Sequence, residues 1–111
     1  MPATFELRKN DEQQYYFHFV NGEGDLILMS SEYADKGEAE QAIKDVRVGS
    51  LVSEQIAAGK VPAGEFFFVI KDGTGQILVK SVLYSNTMHF DNALHTVKDN
   101  ACVAEIVDLA A

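Results

Sequence analysis

A chain of 111 residues that is 47% hydrophobic and holds seven Phe and four Tyr can bury one core without covalent staples, as a single domain or two small units sharing that core. Seventeen acidic residues against nine basic ones give a net charge of −8, which argues against a nucleic-acid backbone or an anionic membrane surface as a direct partner. The single cysteine, Cys102, excludes an intrachain disulfide and a Cys-x-x-Cys metal site; with no signal-length apolar run in MPATFELRKND and none elsewhere longer than Phe66 to Ile70, a cytoplasmic protein is expected.

In chain order, Phe5-Glu6-Leu7 reads as a short strand. Tyr15 to Val20 is aromatic and β-branched, which suits a second strand. Asn21-Gly22 supplies residues that tolerate positive φ in a tight turn, and Leu26 to Ser30 is the return strand. The Gly-x-Gly of Gly22 and Gly24 therefore bends a hairpin. A phosphate loop needs glycines that lead into a helix whose N–H groups face the anion, and these lead into a strand. Asp35, with Glu38 three residues on, has capping-box spacing. Ala39, Ala42, Ile43 and Val46 follow at helical spacing. LVSEQIA from Leu51 is a candidate strand, and AAGKVPAG, Ala57 to Gly64, reads as a loop or short linker.

Shifted by 51 residues, the chain then lies over itself without a gap. Phe17 meets Phe68, Gly22 meets Gly73, Gly24 meets Gly75, Ser30 meets Ser81, Tyr33 meets Tyr84, and Ala42 meets Ala93. The second copy has strands at Phe66 to Lys71 and Ile77 to Ser81, joined through Asp72-Gly73. Asn86 caps its helix, whose apolar stripe is Phe90, Ala93, Leu94, Val97 and Ala101. CVAEIVDLA from Cys102 reads as a strand or a continuation of that helix. A unit of about fifty residues buries too little surface to stand alone, so the copies are expected to share one sheet and one core, with repeat 1 at about 4–57 and repeat 2 at about 58–111.

On TFELRKNDEQQYYFHF, on GDLILMSSEYADKGEAEQAIKDVR and on the second copy ending NALHTVKDNA, the chain resembles the YegP-like family, small bacterial and archaeal proteins built on a domain of unknown function. The resemblance implies an α+β fold of two tandem β-β-β-α-β units. These form one antiparallel sheet with two helices packed on one face, and the last strand of each unit is exchanged to the other half. It makes both segments that follow a helix strands, and it brings no catalytic residues.

Strand parity puts Tyr15, Phe17, Phe19, Phe66, Phe68 and Ile70 on the helix side, and Tyr16, His18, Val20, Phe67 and Val69 on the other. That second face is more apolar than plain solvent requires, so it is either a contact face or covered by the linker or C-terminal segment. Asp91, His95 and Asp99 fall four residues apart opposite the apolar stripe of the second helix; they are cation ligands or, by default, a solvated face. Tyr33 and Tyr84 either pair about a pseudo-two-fold axis or pack each strand against its helix. Cys102, with His89 and His95 near in sequence, reads as an inert thiol. Ser30 and Ser81 lack a nucleophile elbow. Asp11-Glu12 and Glu38-Glu40 read as surface.

These readings favour a non-enzymatic module without cofactor or metal, acting by contact with another protein or as a weak homodimer through the helix-free face. The alternative is a small-ligand binder or small enzyme using a groove between the two repeats.

Overall fold

The two hairpins and two helices expected from the repeat all form. The protein is described by a computed structural model over residues 2–110. In chain order it runs β1 (Thr4–Lys9), β2 (Tyr15–Val20), β3 (Leu26–Ser30), α1 (Lys36–Gly49), a short 3-10 turn (Ser53–Gln55), β4 (Ile56–Lys60), β5 (Phe66–Lys71), β6 (Ile77–Ser81), α2 (Thr87–Asn100) and β7 (Glu105–Asp108). All seven strands join one sheet in the order β4-β5-β6-β3-β2-β1-β7. The two hairpins meet where β3 pairs with β6, Leu28 opposite Ser81 and Met29 opposite Lys80.

The fold is α+β, and its sheet is mixed rather than antiparallel throughout, because β7 runs parallel to β1 with Phe5 opposite Ile106. The reason is the path of the chain. The antiparallel position beside β2 is already held by β1, so the strand that follows α2 adds outside it, in the same direction as β1. Each strand that follows a helix does lie in the other half: β4 beside β5, and β7 beside β1.

The stretch expected to be a linker, Ala57 to Gly64, instead supplies most of β4, and the repeat boundary expected at 57/58 falls inside that strand. LVSEQIA forms a turn and a 3-10 turn before β4 begins at its end. Moving β1 by 51 residues places it on β4, so β4 is also the first strand of the second copy. Over the described residues the chain is therefore βββα, βββα and one closing strand, with seven strands where two β-β-β-α-β units would give eight.

Both helices start on the residues expected. Asp35 Oδ1 accepts from the Glu38 N–H at 2.8 Å, and Asn86 Oδ1 accepts from the His89 N–H at 2.8 Å. Each cap satisfies an orphan donor, worth about 1 kcal/mol. The helices lay their apolar stripes on the inner face of the sheet. Ala39, Ala42, Ile43 and Val46 of α1, and Ala93, Val97 and Ala101 at α2, join one cluster with Phe5, Leu7, Phe17, Phe19, Phe68 and Ile70. Gly49 permits close approach at the end of α1: a Cβ there would stand 2.7 Å from the Ile70 side chain.

Two β-bulges alter the alternation. Pairing shifts between Phe19 and Val20 and between Ile70 and Lys71, leaving Ile27 and Leu78 as extra residues. Ile27 and Leu28 are consequently both buried in the helix-side cluster, as are Leu78 and Val79. The turns differ in detail from expectation. Positive φ sits on the second glycine of each Gly-x-Gly, Gly24 at 85° and Gly75 at 93°, and not on Asn21-Gly22 or Asp72-Gly73. Asn21 and Asp72 act through their side chains, each Oδ1 accepting two backbone N–H groups of its own turn.

Candidate functional site

The face of the sheet turned away from the helices is crossed by a register row running Val107, Glu6, His18, Met29, Lys80, Val69, Ala57. No described helix or strand covers it. β7, the C-terminal segment that could have done so, pairs edge-on with β1. The five positions expected on this face behave in two ways. Val20 and Val69 are 9% and 6% exposed and lie outside the helix-side cluster, so neighbouring side chains shield them. Tyr16, His18 and Phe67 are half-buried and present the apolar surface that remains.

Each of these aromatic groups is set by a neighbour. The outer end of the Phe67 ring lies over Gly59, where an added Cβ would fall 2.6 Å from it, and Lys80 Nζ stands 4.6 Å from the ring centroid. The Tyr16 and His18 rings are tilted against each other at 5.3 Å. Burial, then the Arg8 guanidinium, pushes the His18 imidazolium below its usual value, while Glu6 opposes the shift. Arg8 is held to Glu6 at 2.9 Å. A shallow depression of about 570 Å³ lies beside Tyr16, His18 and Met29, with Glu32 and Asn10, which hydrogen-bond each other, at its rim.

The helix side has two grooves that sequence reasoning did not resolve into residues. One, about 510 Å³, lies between α1 and the β5–β6 turn; Tyr33, Glu38, Gln41, Asp45, Asp72 and Gln76 are among its walls. The other, about 340 Å³, lies between α2 and the β2–β3 turn; Tyr84, His89, Asn92, Thr96, Asn21 and Asp25 stand at the positions 51 residues away. Each groove therefore joins the helix of one copy to the hairpin of the other. The duplicated groove has diverged in charge. Glu38, Asp45 and Asp72 face the first, where His89, Thr96 and Asn21 face the second. Burial raises the pKa of both Tyr33 and Tyr84, and Asp45, Glu38 and Asp72 add to the shift at Tyr33. The shift by 51 carries the signal for these grooves, but only once the hairpins are known to cross over to the opposite helix.

The remaining candidates are separated. Asp91, His95 and Asp99 are exposed along α2, and no group of three or more His, Cys, Asp or Glu able to hold a metal occurs among the described residues. Tyr33 and Tyr84 do not meet. Each forms a two-bond backbone bridge that extends its own hairpin, Tyr33 with Tyr15 and Tyr84 with Phe66. Both pack against the core cluster. Ser30 and Ser81 are ladder substitutes: Ser30 Oγ accepts from Phe17 N–H and Ser81 Oγ from Phe68 N–H, both at 2.9 Å. Cys102 is half-buried in the turn after α2. No helix among the described residues is long and apolar enough to cross a membrane.

Comparison with known proteins agrees with this architecture. Residues 10–51 and 62–108 match the model of a family described as a domain of unknown function, DUF1508. The two segments are the two copies of the repeat, each taken from the turn after its first strand. The UPF0339 protein YegP of Escherichia coli is 31% identical over 108 residues, 97% of this chain and 98% of that protein. A UPF0339 protein of Shewanella oneidensis is 30% identical over 109 residues, 98% and 99% of the two. The solution NMR structure of a UPF0339 protein from Shewanella oneidensis superimposes with a TM-score of 0.94 at 30% identity, over 99% of this chain and 93% of that one. That of Escherichia coli YegP, described as a protein of unknown function, gives 0.92 at 30% identity, over 100% and 96%.

Proposed function

The chain belongs to the DUF1508 family, and we propose that it works as a non-enzymatic contact module, binding a protein surface through the helix-free face of its sheet. The observation that carries this reading is the uncovered row from Val107 to Ala57, with half-buried Tyr16, His18 and Phe67 along it. Apolar surface rimmed by polar groups is the usual character of a contact site. The same face carries few carboxylates, Glu6 and Glu105 on its strands, in a chain whose net charge is −8. A protein partner therefore meets less repulsion here than over the helices. A reducing, cytoplasmic setting belongs to the same reading and rests on the lone thiol of Cys102.

Site-specific photo-cross-linking in the native host tests it. A photoreactive phenylalanine analogue at position 16 or 67 is expected to give a discrete protein adduct, and the same group at the helix-side position 91 is expected to give none. Absence of an adduct from both 16 and 67 overturns the reading.

The paired grooves favour a second reading, a small-ligand site between the repeats. It is supported by the matched placement of a half-buried tyrosine and polar groups on an apolar floor in both. A thermal-shift screen of metabolites, amines and metal ions is the test: one compound that raises the melting point strongly, and fails to do so in Tyr33→Ala or Tyr84→Ala, would establish it through linkage.

A further inference from the structure

A seven-stranded sheet has two outer edges, and this chain treats them differently. β7 carries Glu105 and Asp108 among its four residues, both exposed. Two copies pairing antiparallel along that edge would set Glu105 opposite Asp108, which Lys36 already pairs, so the edge is blunted by charged side chains. β4, at the other end, reads Ile-Ala-Ala-Gly-Lys, with no carboxylate, no proline and no bulge. It pairs with β5 from Ile56 to Lys60 on its inner side, and no described strand pairs with its outer side. Its outward backbone N–H and C=O groups form a template for another strand. The repeat sharpens the contrast, because β1, the counterpart of β4, has its outer side occupied by β7.

We propose that β4 is a dimerisation edge, on which a second copy of this chain lays its own β4 antiparallel about Ala58 and so joins two sheets into one. Charge supports this register. Centred on Ala58, Lys60 of one copy stands opposite Ile56 of the other, so no like charges meet along the paired strands. Lys60 is exposed. The pairing closes, since each copy uses its one edge free of carboxylates and the β7 edge carries Glu105 and Asp108. The edge is distinct from the helix-free face, and joining the sheets sets two such faces side by side, which strengthens binding to any repeated partner.

Sedimentation equilibrium tests the proposal on three proteins. The wild-type chain is expected to show a reversible dimer. Ala58→Glu and Ala58→Lys put like charges face to face at the two-fold axis, and each is expected to weaken dimerisation roughly fivefold or more. An equimolar mixture of the two is expected to dimerise again. Ala58 is exposed, and circular dichroism checks that both variants fold. If one does not, amide exchange on the wild type replaces it, with protection at residues 56–60 expected to rise with concentration. A monomeric wild type, variants that dimerise as the wild type does, a mixture that stays monomeric, or protection independent of concentration overturns the proposal. Position 16 lies on β2, far across the sheet from β4, so its cross-linking is read separately; an adduct at 67, whose ring lies over Gly59 of β4, counts for the face only when it holds a different protein, and so the face and the edge stand or fall separately.

Discussion

The guanidinium of Arg47 in α1 reaches the backbone carbonyl of Ala104, 2.5 Å away, and so ties the first copy's helix to the segment that enters β7. The same group lies 5.7 Å from the centroid of Phe5, which is fully buried. β7 is short and has half-buried Ile106 as its one apolar side chain on the helix side, so this bond, the β1 ladder and the Lys36–Asp108 pair anchor it.

Arg47→Ala is therefore expected to lower stability by about 2–3 kcal/mol, from losing one charge-assisted bond and some aromatic packing. The loss should concentrate at one edge. Amide exchange at Leu109, whose N–H donates to the Leu7 carbonyl at 2.7 Å, should speed up more than exchange at Phe19 in the sheet interior. Uniform acceleration across the sheet would show that Arg47 acts on the core instead.

A second tie to β7 depends on pH. The hydrogen bond from Lys36 holds the Asp108 carboxyl below its usual value, and the Ala110 N–H adds to the effect. The unfolded chain then takes up the proton first as pH falls. The contribution is present above about pH 4 and disappears as pH drops through the lower folded value. The melting point of Asp108→Asn is expected to fall less between about pH 6 and about pH 3 than that of the wild type. Parallel curves would mean that Asp108 carries no part of the acid response.

The turns before β2 and β5 occupy matching positions but use different residues. Gln13 sits at φ 64°, a left-handed conformation costly for a side chain, whereas its counterpart Gly64 sits at 97°. Gln13→Gly is expected to stabilise the protein by up to about 1 kcal/mol, and Gly64→Gln to destabilise it by a similar amount. Chemical denaturation of both variants reads this directly. A loss of stability in Gln13→Gly would point to side-chain contacts that outweigh the strain.

Ser81 is 1% exposed, and its hydroxyl bridges the Phe68 N–H and the Val82 carbonyl where the β5–β6 ladder gives way to the Tyr84 bridge. Ser81→Ala leaves the Phe68 N–H without that partner and is expected to cost about 1–3 kcal/mol. Ser30 does the same for Phe17, but beside a more open position, and the cost there should be smaller. Equal small effects at both sites would mean that water replaces the hydroxyl.

Much of this was legible in the residue order. Hairpin strands, helix caps and the inward set of Phe17, Phe19, Phe68 and Ile70 follow from alternation and capping chemistry, which act within a few residues. The bulges were not legible, because an extra residue such as Ile27 or Leu78 looks like any other until its partner strand is known. The same holds for the strand hidden in Ala57 to Gly64. AAGK has weak intrinsic strand preference, and it is Phe67 lying over Gly59 and pairing with β5 that make it extended.

What the sequence determined alone is the doubled unit: two hairpins, two capped helices and one apolar side for each, all set by contacts close along the chain. The tertiary structure decided the rest, namely the parallel placement of β7, the grooves between one copy's helix and the other's hairpin, and which edge is left without a neighbour. These depend on pairing between segments far apart in sequence. A local pattern states how much surface must be buried, but which distant strand arrives first beside β2 or β5 is settled only when the whole sheet is assembled.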